Sequence, residues 1–218
     1  MNIQQHIISN IPTFDVQVSC SEVMEFFKEN TYSHVAILEK DRFLGVFSEN
    51  DMDVVPIDSR IDEYRYDLET FFVRRETSWL DVLEVFARNE ANLLPILDKA
   101  EKVIGYYDLT DIVSVFINTP FFTDPGNILV VATGVKDYSF SEIAQIVESN
   151  NAKLIGGFIT DMQNDVVQVT IKISTSNFDK VVQTFRRYNY HIIFGNSDDQ
   201  FLEDLKNRSD YLDKYLNV

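Results

Sequence analysis

Between residues 19 and 117 the apolar and polar positions run through one pattern twice. SCSEVMEFFKENTYSHVAIL (19–38) aligns with SWLDVLEVFARNEANLLPIL (78–97) at an offset of 59, and FLGVFSENDM (43–52) with VIGYYDLTDI (103–112) at an offset of 60. The one-residue gap falls in a charged turn, where a chain tolerates an insertion. Each copy opens on a polar residue with an acid three places later, Ser19/Glu22 and Ser78/Asp81, the pattern of a capping box at a helix start. Val23, Phe26 and Phe27, and then Val82, Val85 and Phe86, recur at helical spacing, so each copy begins with an amphipathic helix. A short apolar run follows (Val35 to Leu38; Leu93 to Leu97), then a charged turn and a second run (Phe43 to Phe47; Val103 to Tyr107), which predicts a hairpin of buried strands. Tyr106 and Tyr107 are read as core. A second helix is predicted through Met52 to Val55 in one copy and Ile112 to Phe116 in the other.

The pattern changes after Asn118-Thr119-Pro120-Phe121-Phe122-Thr123-Asp124-Pro125-Gly126, where two prolines and a glycine interrupt regular structure. Ile128 to Ala132 reads as a strand, and Ser139-x-x-Glu142 as a capping box before a helix carrying Phe140, Ile143, Ile146 and Val147. Leu154 to Thr160 is a second strand, with a turn at Asp161 to Asp165. Val167, Val169, Ile171 and Ile173 then alternate with Gln168, Thr170 and Lys172, the mark of a strand with one buried and one wet face. A helix with Phe178, Val181, Val182 and Phe185 precedes a closing strand, His191 to Phe194. The order βαββαβ is ferredoxin-like. In 196–218, Phe201, Leu205, Leu212 and Leu216 fall on one side of an expected acidic amphipathic helix.

The twofold helix–strand–hairpin–strand–helix order, with glycine in the second strand and aspartate six residues on, resembles a tandem pair of cystathionine-β-synthase (CBS) domains. The second module resembles an ACT domain, and a CBS pair followed by an ACT-like module is similar to the acetoin-utilisation regulatory protein family. The expected class is α/β (α+β), divided as CBS repeat 1 (1–59), CBS repeat 2 (60–119), a linker (120–127), the ACT-like domain (128–195) and the C-terminal helix. The resemblance implies two clefts between the repeats for adenosine-containing ligands. It also implies residues for them, on the pattern Gly-x-x-(Ser/Thr)-x-x-Asp: hydroxyl and helix-start amides meet phosphate, and the aspartate accepts from ribose hydroxyls. The first copy keeps this pattern in Gly45, Ser48 and Asp51. The second has Gly105, Asp108 and Asp111, with a carboxylate in place of the hydroxyl. Phosphate beside Asp108 would meet like charge, and Glu49 and Asp53 add acid near the other site, so a cationic partner, a sulfonium-bearing adenosyl compound or a divalent ion, suits the charge better. The bland reading stands beside this one, since Ser48-x-x-Asp51 and the acids of the second copy also serve helix starts. For an ACT-like domain the candidates are Asp137 and Ser139, against a plain turn and helix cap.

Charge narrows the partners. The chain has 218 residues, 19 basic and 35 acidic side chains, and a net charge of −16, which repels nucleic acid and anionic membrane surfaces. The charge is concentrated: residues 1–127 carry 10 basic and 23 acidic side chains, whereas 128–195 carry 6 of each. No apolar run approaches a membrane span, and the N-terminus has no signal-peptide pattern, so a cytoplasmic protein is expected. The lone Cys20, in the first turn of a helix and aligned with Trp79, is read as packing. His6, His34 and His191 are scattered, without a nucleophile or a ligand cluster around them, which argues against catalysis and against a bound metal. The expectation is a non-enzymatic, homodimeric regulatory protein that requires no cofactor. The expected effector is a small adenosyl ligand (AMP, ATP or S-adenosylmethionine) or an ion, coupled to a dimeric ACT-like module; the alternative is a ligand-blind dimerisation or interaction module.

Overall fold

The computed structural model describes residues 2–52 and 54–195, so Asp53 and the expected helix in 196–218 lie outside the described residues. The chain divides into two units, the boundary falling after Asn118. In the first unit, β1 (Phe14–Asp15), α1 (Cys20–Glu29), β2 (His34–Glu39), β3 (Arg42–Ser48) and α2 (Glu49–Met52) form one repeat. β4 (Val73–Arg74), α3 (Trp79–Arg88), β5 (Leu93–Leu97), β6 (Val103–Asp108) and α4 (Leu109–Ile117) form the second. Each repeat is a three-stranded sheet in which a short parallel strand flanks an antiparallel hairpin, in the orders β1-β2-β3 and β4-β5-β6. The duplication holds to the register. Phe14 pairs with Ile37 and Val73 with Ile96, and both hairpins break step at the same place, between Ile37 and Leu38 and between Ile96 and Leu97. The sequence offset changes in the hairpin turn, which in the first copy is the pair Lys40-Asp41, both at positive φ, as a tight twisted turn requires.

The helices follow from local chemistry, with two departures. Ser78 accepts a hydrogen bond from the Asp81 amide and caps α3, whereas the Ser19 hydroxyl pairs with that of Ser21 (2.7 Å) and leaves α1 without a side-chain cap. α2, described over Glu49–Met52, does not reach Val55 as expected. Pro56 pushes the residue before it out of helical geometry, and the amides of Val54 and Val55 reach back only three residues, to Asp51 and Met52. Cys20 is buried against the helix start and accepts from the Ser59 hydroxyl at 3.4 Å.

The two repeats meet around a shared polar centre. Ser33 and Asn92, equivalent at the offset of 59, exchange two bonds: the Ser33 amide donates to Asn92 Oδ1 (2.8 Å) and the Asn92 amide to Ser33 Oγ (2.9 Å). Their carbonyls accept from the first amides of the two following helices, Glu49 N to Ser33 and Leu109 N to Asn92. Beside them Ala36, Leu93 and Tyr106 form an apolar cluster. Tyr106 belongs to the second repeat, yet its hydroxyl accepts from the Ala36 amide (3.2 Å) and donates to the Pro12 carbonyl (2.9 Å), so its polar tip is satisfied inside the first. Burial raises its pKa far above the ordinary phenol range.

Each repeat is also edged by the segment that precedes the other. Ile8 exchanges two backbone hydrogen bonds with Tyr106 on β6, and Glu69 does the same with Val46 on β3. The glycines of the repeated pattern make room for this. A Cβ at Gly45 would lie 2.8 Å from the Glu69 carbonyl oxygen, and one at Gly105 2.7 Å from that of Ile8.

The second unit opens with one helical turn, α5 (Pro120–Thr123), where an irregular linker was expected; proline suits a first helical position. Then come β7 (Asn127–Gly134), α6 (Phe140–Ser149), β8 (Lys153–Gln163), β9 (Val166–Ser174), α7 (Phe178–Arg187) and β10 (His191–Phe194). The sheet is antiparallel, in the order β10-β7-β9-β8, which is the ferredoxin-like arrangement. β8 runs to Gln163 rather than ending at Thr160, because the turn is only Asn164-Asp165, both at positive φ. Val167, Val169, Ile171 and Ile173 of β9 are fully buried against Ile143, Ile146 and Val147 of α6 and Val181 and Phe185 of α7. No described helix is long and apolar enough to cross a membrane.

Gly45→Ala and Gly105→Ala each force a methyl group into the backbone of a crossing segment. Each is expected to cost about 1–3 kcal/mol in denaturant unfolding. Gly105→Ala is expected to cost more, because Gly105 sits at φ +148°, where alanine is strained.

Candidate ligand sites

The first site forms where β3 ends and α2 begins. Ser48, the last residue of β3, is buried, and its hydroxyl accepts from the Asn50 amide at 3.1 Å rather than from Asp51. It pairs across the hairpin with His34, the first residue of β2. His34 is 5% exposed, with the Phe71 ring edge-on at 5.1 Å. Its Nδ1 lies 2.8 Å from Ser33 Oγ and its Nε2 3.3 Å from Glu69 Oε1. A carboxylate only accepts, so the Nε2–H donates to Glu69 and Nδ1 accepts from the Ser33 hydroxyl. Burial lowers the pKa of His34, against the pull of Glu69 and Asp51, so the ring is neutral at neutral pH.

Asp51 faces the same place. Burial raises its pKa first, the carboxylates of Glu69 and Asp67 raise it further, and His34 opposes them. Ser48, His34 and Asp51 of the first repeat thus converge with Glu69 from the segment leading to the second. Glu69 is absent from the sequence pattern. It arrives because Gly45 lets residues 68–69 lie against β3.

The second site has the same frame and different chemistry. Asp108 ends β6 and caps α4, accepting at Oδ1 from the amides of Thr110 (2.7 Å) and Asp111 (3.4 Å). A carboxylate therefore does the work of the capping hydroxyl. The position equivalent to His34 is the buried Leu93, and Ile8 stands where Glu69 stands in the first site. Tyr32, from the first repeat, faces the pair: burial raises its pKa, and the charges of Asp108 and Asp111 raise it further.

In the second unit a cavity of about 560 Å³ is lined by Thr133, Asp137, Glu142, Tyr188, Asn189 and His191. Asp137 lines it, whereas the Ser139 hydroxyl caps α6, accepting from the Glu142 amide at 3.4 Å. Glu142 Oε2 accepts from the Tyr190 hydroxyl at 2.9 Å, and burial together with that carboxylate pushes the Tyr190 pKa up to about 12. Among the described residues no three His, Cys, Asp or Glu side chains are grouped to hold a metal ion.

The first unit is thus one sheet-and-helix module given twice, with matching strand order and register in the two copies. Residues 3–53 and 67–118 match the family model of the CBS domain, and the first unit is a tandem CBS pair. Among solved structures the chain is similar to a CBS domain pair/ACT domain protein from Thermotoga maritima, with 19% identity, a TM-score of 0.49, and coverage of 54% of this chain and 97% of that one. It is also similar to CBSX2 in complex with AMP (16% identity, TM-score 0.44, 53% and 96% covered). A third is the cytosolic domain of the magnesium channel MgtE in complex with ATP (20% identity, TM-score 0.41, 47% and 44% covered). No curated protein matches the chain.

The buried neutral His34 sets a pH response. Its pKa is depressed on folding, so the unfolded chain takes up a proton first as pH falls through the ordinary value of 6.5, and stability drops with it. His34→Gln is expected to flatten that part of the stability–pH curve in urea titrations between about pH 7 and 5. A slope unchanged by the substitution would remove His34 as its source.

Proposed function

We propose that the chain is a cytoplasmic, non-enzymatic sensor, a homodimer whose CBS pair binds a small adenosyl ligand and couples it to an ACT-like second unit. The observation that carries this reading is the convergence of Ser48, Asp51 and Glu69 at the end of β3, with the neutral His34 beneath them. Asp51 is the acceptor for ribose hydroxyls. Its raised pKa reflects carboxylates already crowding one another, so a phosphate there adds repulsion and a cationic group relieves it. The four residues of α2 offer little helix dipole to hold a phosphate. Between AMP or ATP and S-adenosylmethionine, the charge favours the sulfonium compound. Asp137 and the cavity beside it make the corresponding proposal for a small amino acid in the second unit.

The ligand-blind alternative draws on a different observation: Asp108 and Ser139 are both spent as helix caps. A thermal-shift series with S-adenosylmethionine, AMP, ATP and amino acids separates the two readings, because a ligand that binds only the folded state raises the midpoint. The expected result is a rise with S-adenosylmethionine that exceeds the rise with ATP and vanishes in Ser48→Ala/Asp51→Ala. As pH falls toward and through the raised Asp51 titration, above the ordinary 3.8, the carboxylate gains its proton and the rise should fade. No rise with any of these ligands, with a dimer persisting on a sizing column, favours the assembly module.

A further inference from the structure

The duplication is broken at one corner of the second repeat, at the end of the sheet away from Asp108. There a cavity of about 260 Å³ lies between the end of β4 and the β5–β6 hairpin, with Leu97 and Ile104 as apolar walls and Arg74, Arg75 and Lys99 around it. The matching corner of the first repeat, set by the pairing of Asp15 with Leu38 where the second has Arg74 with Leu97, carries Asp15 and Glu39. There Arg65 is neutralised at home by Glu39 (3.4 Å) and Asp62 (3.2 Å), and Arg42 stands opposite Glu39 across the hairpin.

No such neutralisation reaches the second corner. None of the ion pairs among the described residues uses Arg74, Arg75 or Lys99, in a chain of net charge −16. Glu76 also lines the cavity. The other acid, Asp98, has its Oδ1 occupied by the amides of Ala100 (2.8 Å) and Lys102 (2.9 Å), which shape the hairpin turn. Arg74 is held in place rather than free: it donates to the Asp98 carbonyl and lies over the Phe72 ring at 5.3 Å.

The same repeat carries a further departure from the duplication. Tyr107 of β6 is fully buried, and its hydroxyl has no hydrogen-bond partner; the first repeat has Phe47 at that place, without the hydroxyl. Burial raises the Tyr107 pKa and Arg75 opposes it, while the ring itself lies outside the residues that line the cavity. A buried hydroxyl left without a partner is unfavourable, and so it is informative where it occurs.

We propose that this corner is a binding site for a small, multiply charged oxyanion, a phosphate- or polycarboxylate-bearing metabolite gripped by Arg75 and Lys99 with Arg74 fixed behind them. Arginine forks suit the paired oxygens of either group. The cavity falls below the ~300 Å³ at which pockets for drug-sized ligands begin, so its occupant is smaller than a nucleotide and distinct from the adenosyl ligand. The site would let the second repeat sense an anion while the acidic site of the first senses something else.

The test is a thermal-shift and calorimetric titration of the full chain with inorganic pyrophosphate and with citrate, against sodium chloride at matched ionic strength. One or both anions should raise the midpoint beyond the chloride control, and the one that does assigns the chemistry to phosphate or carboxylate. Arg75→Gln/Lys99→Gln, at two exposed positions, should melt as the parent does without ligand and bind at least ~tenfold more weakly, for the loss of two charge-assisted contacts. Neither anion exceeding chloride, or a double variant that keeps the parent affinity, would overturn the proposal. A shift by S-adenosylmethionine belongs to the other site and should be the same in both proteins.

Discussion

Neither repeat of the first unit completes its own sheet. The edge of β3 is satisfied by Glu69, from the segment leading into the second repeat, and the edge of β6 by Ile8, from the segment leading into the first. Backbone amides and carbonyls at these buried edges must find partners, so folding one repeat requires the chain that belongs to the other. Gly45 and Gly105 are the condition for that exchange, since any side chain there would hold the crossing segment off the strand. The Ser33–Asn92 pair and the Tyr106 hydroxyl then lock the repeats at the centre with bonds made across the duplication, not within a copy.

With the frame held this way, the two copies are free to differ at equivalent places. His34 and Glu69 in one become Leu93 and Ile8 in the other; Ser48 becomes Asp108, Phe47 becomes Tyr107, and Asp15 becomes Arg74. Every one of these exchanges changes charge or hydrogen-bonding capacity while the backbone register stays the same. A structural repeat under no other demand has no need of a buried histidine in one copy, or of an unpartnered phenol and unpaired arginines in the other. Several of these exchanged positions, His34 and Leu93, Phe47 and Tyr107, are buried, so the copies differ inside the fold as well as at its surface.

What was legible in the sequence was what is local. The helix and hairpin spacings and each element of the βαββαβ order depend on residues within about ten positions of one another and appear as periodicity, and the duplication is that local pattern met a second time. The short α2 was legible in principle, because Pro56 stands four residues beyond its end. The uncapped Ser19 was not, since its hydroxyl turns to Ser21, an equally ordinary partner. Glu69 was invisible to the pattern for a physical reason. It is 35 residues from its partner His34 and belongs by sequence to the other repeat, and only the crossing of the connecting segment brings it to Asp51. The basic corner was hidden likewise, because Arg74-Arg75 and Lys99 lie on separate elements and read individually as solvated charges.

The exchanged segments also explain how occupancy of the first site could be felt beyond it. A ligand touching only Ser48 and Asp51 would meet one rigid repeat and bind every arrangement of the pair equally, and equal binding shifts nothing. Glu69 changes that, because its backbone is part of the first repeat's sheet while its chain leads within four residues to β4 of the second. A cation that draws Glu69 from His34 must break a part-buried hydrogen bond and re-order the entry to β4; one that leaves the pair intact gains a carboxylate already oriented by it. Either way the free energy of binding depends on where the crossing segment lies. That segment joins the acidic site of one copy to the basic corner of the other through Val73 and Arg74, the two residues of β4.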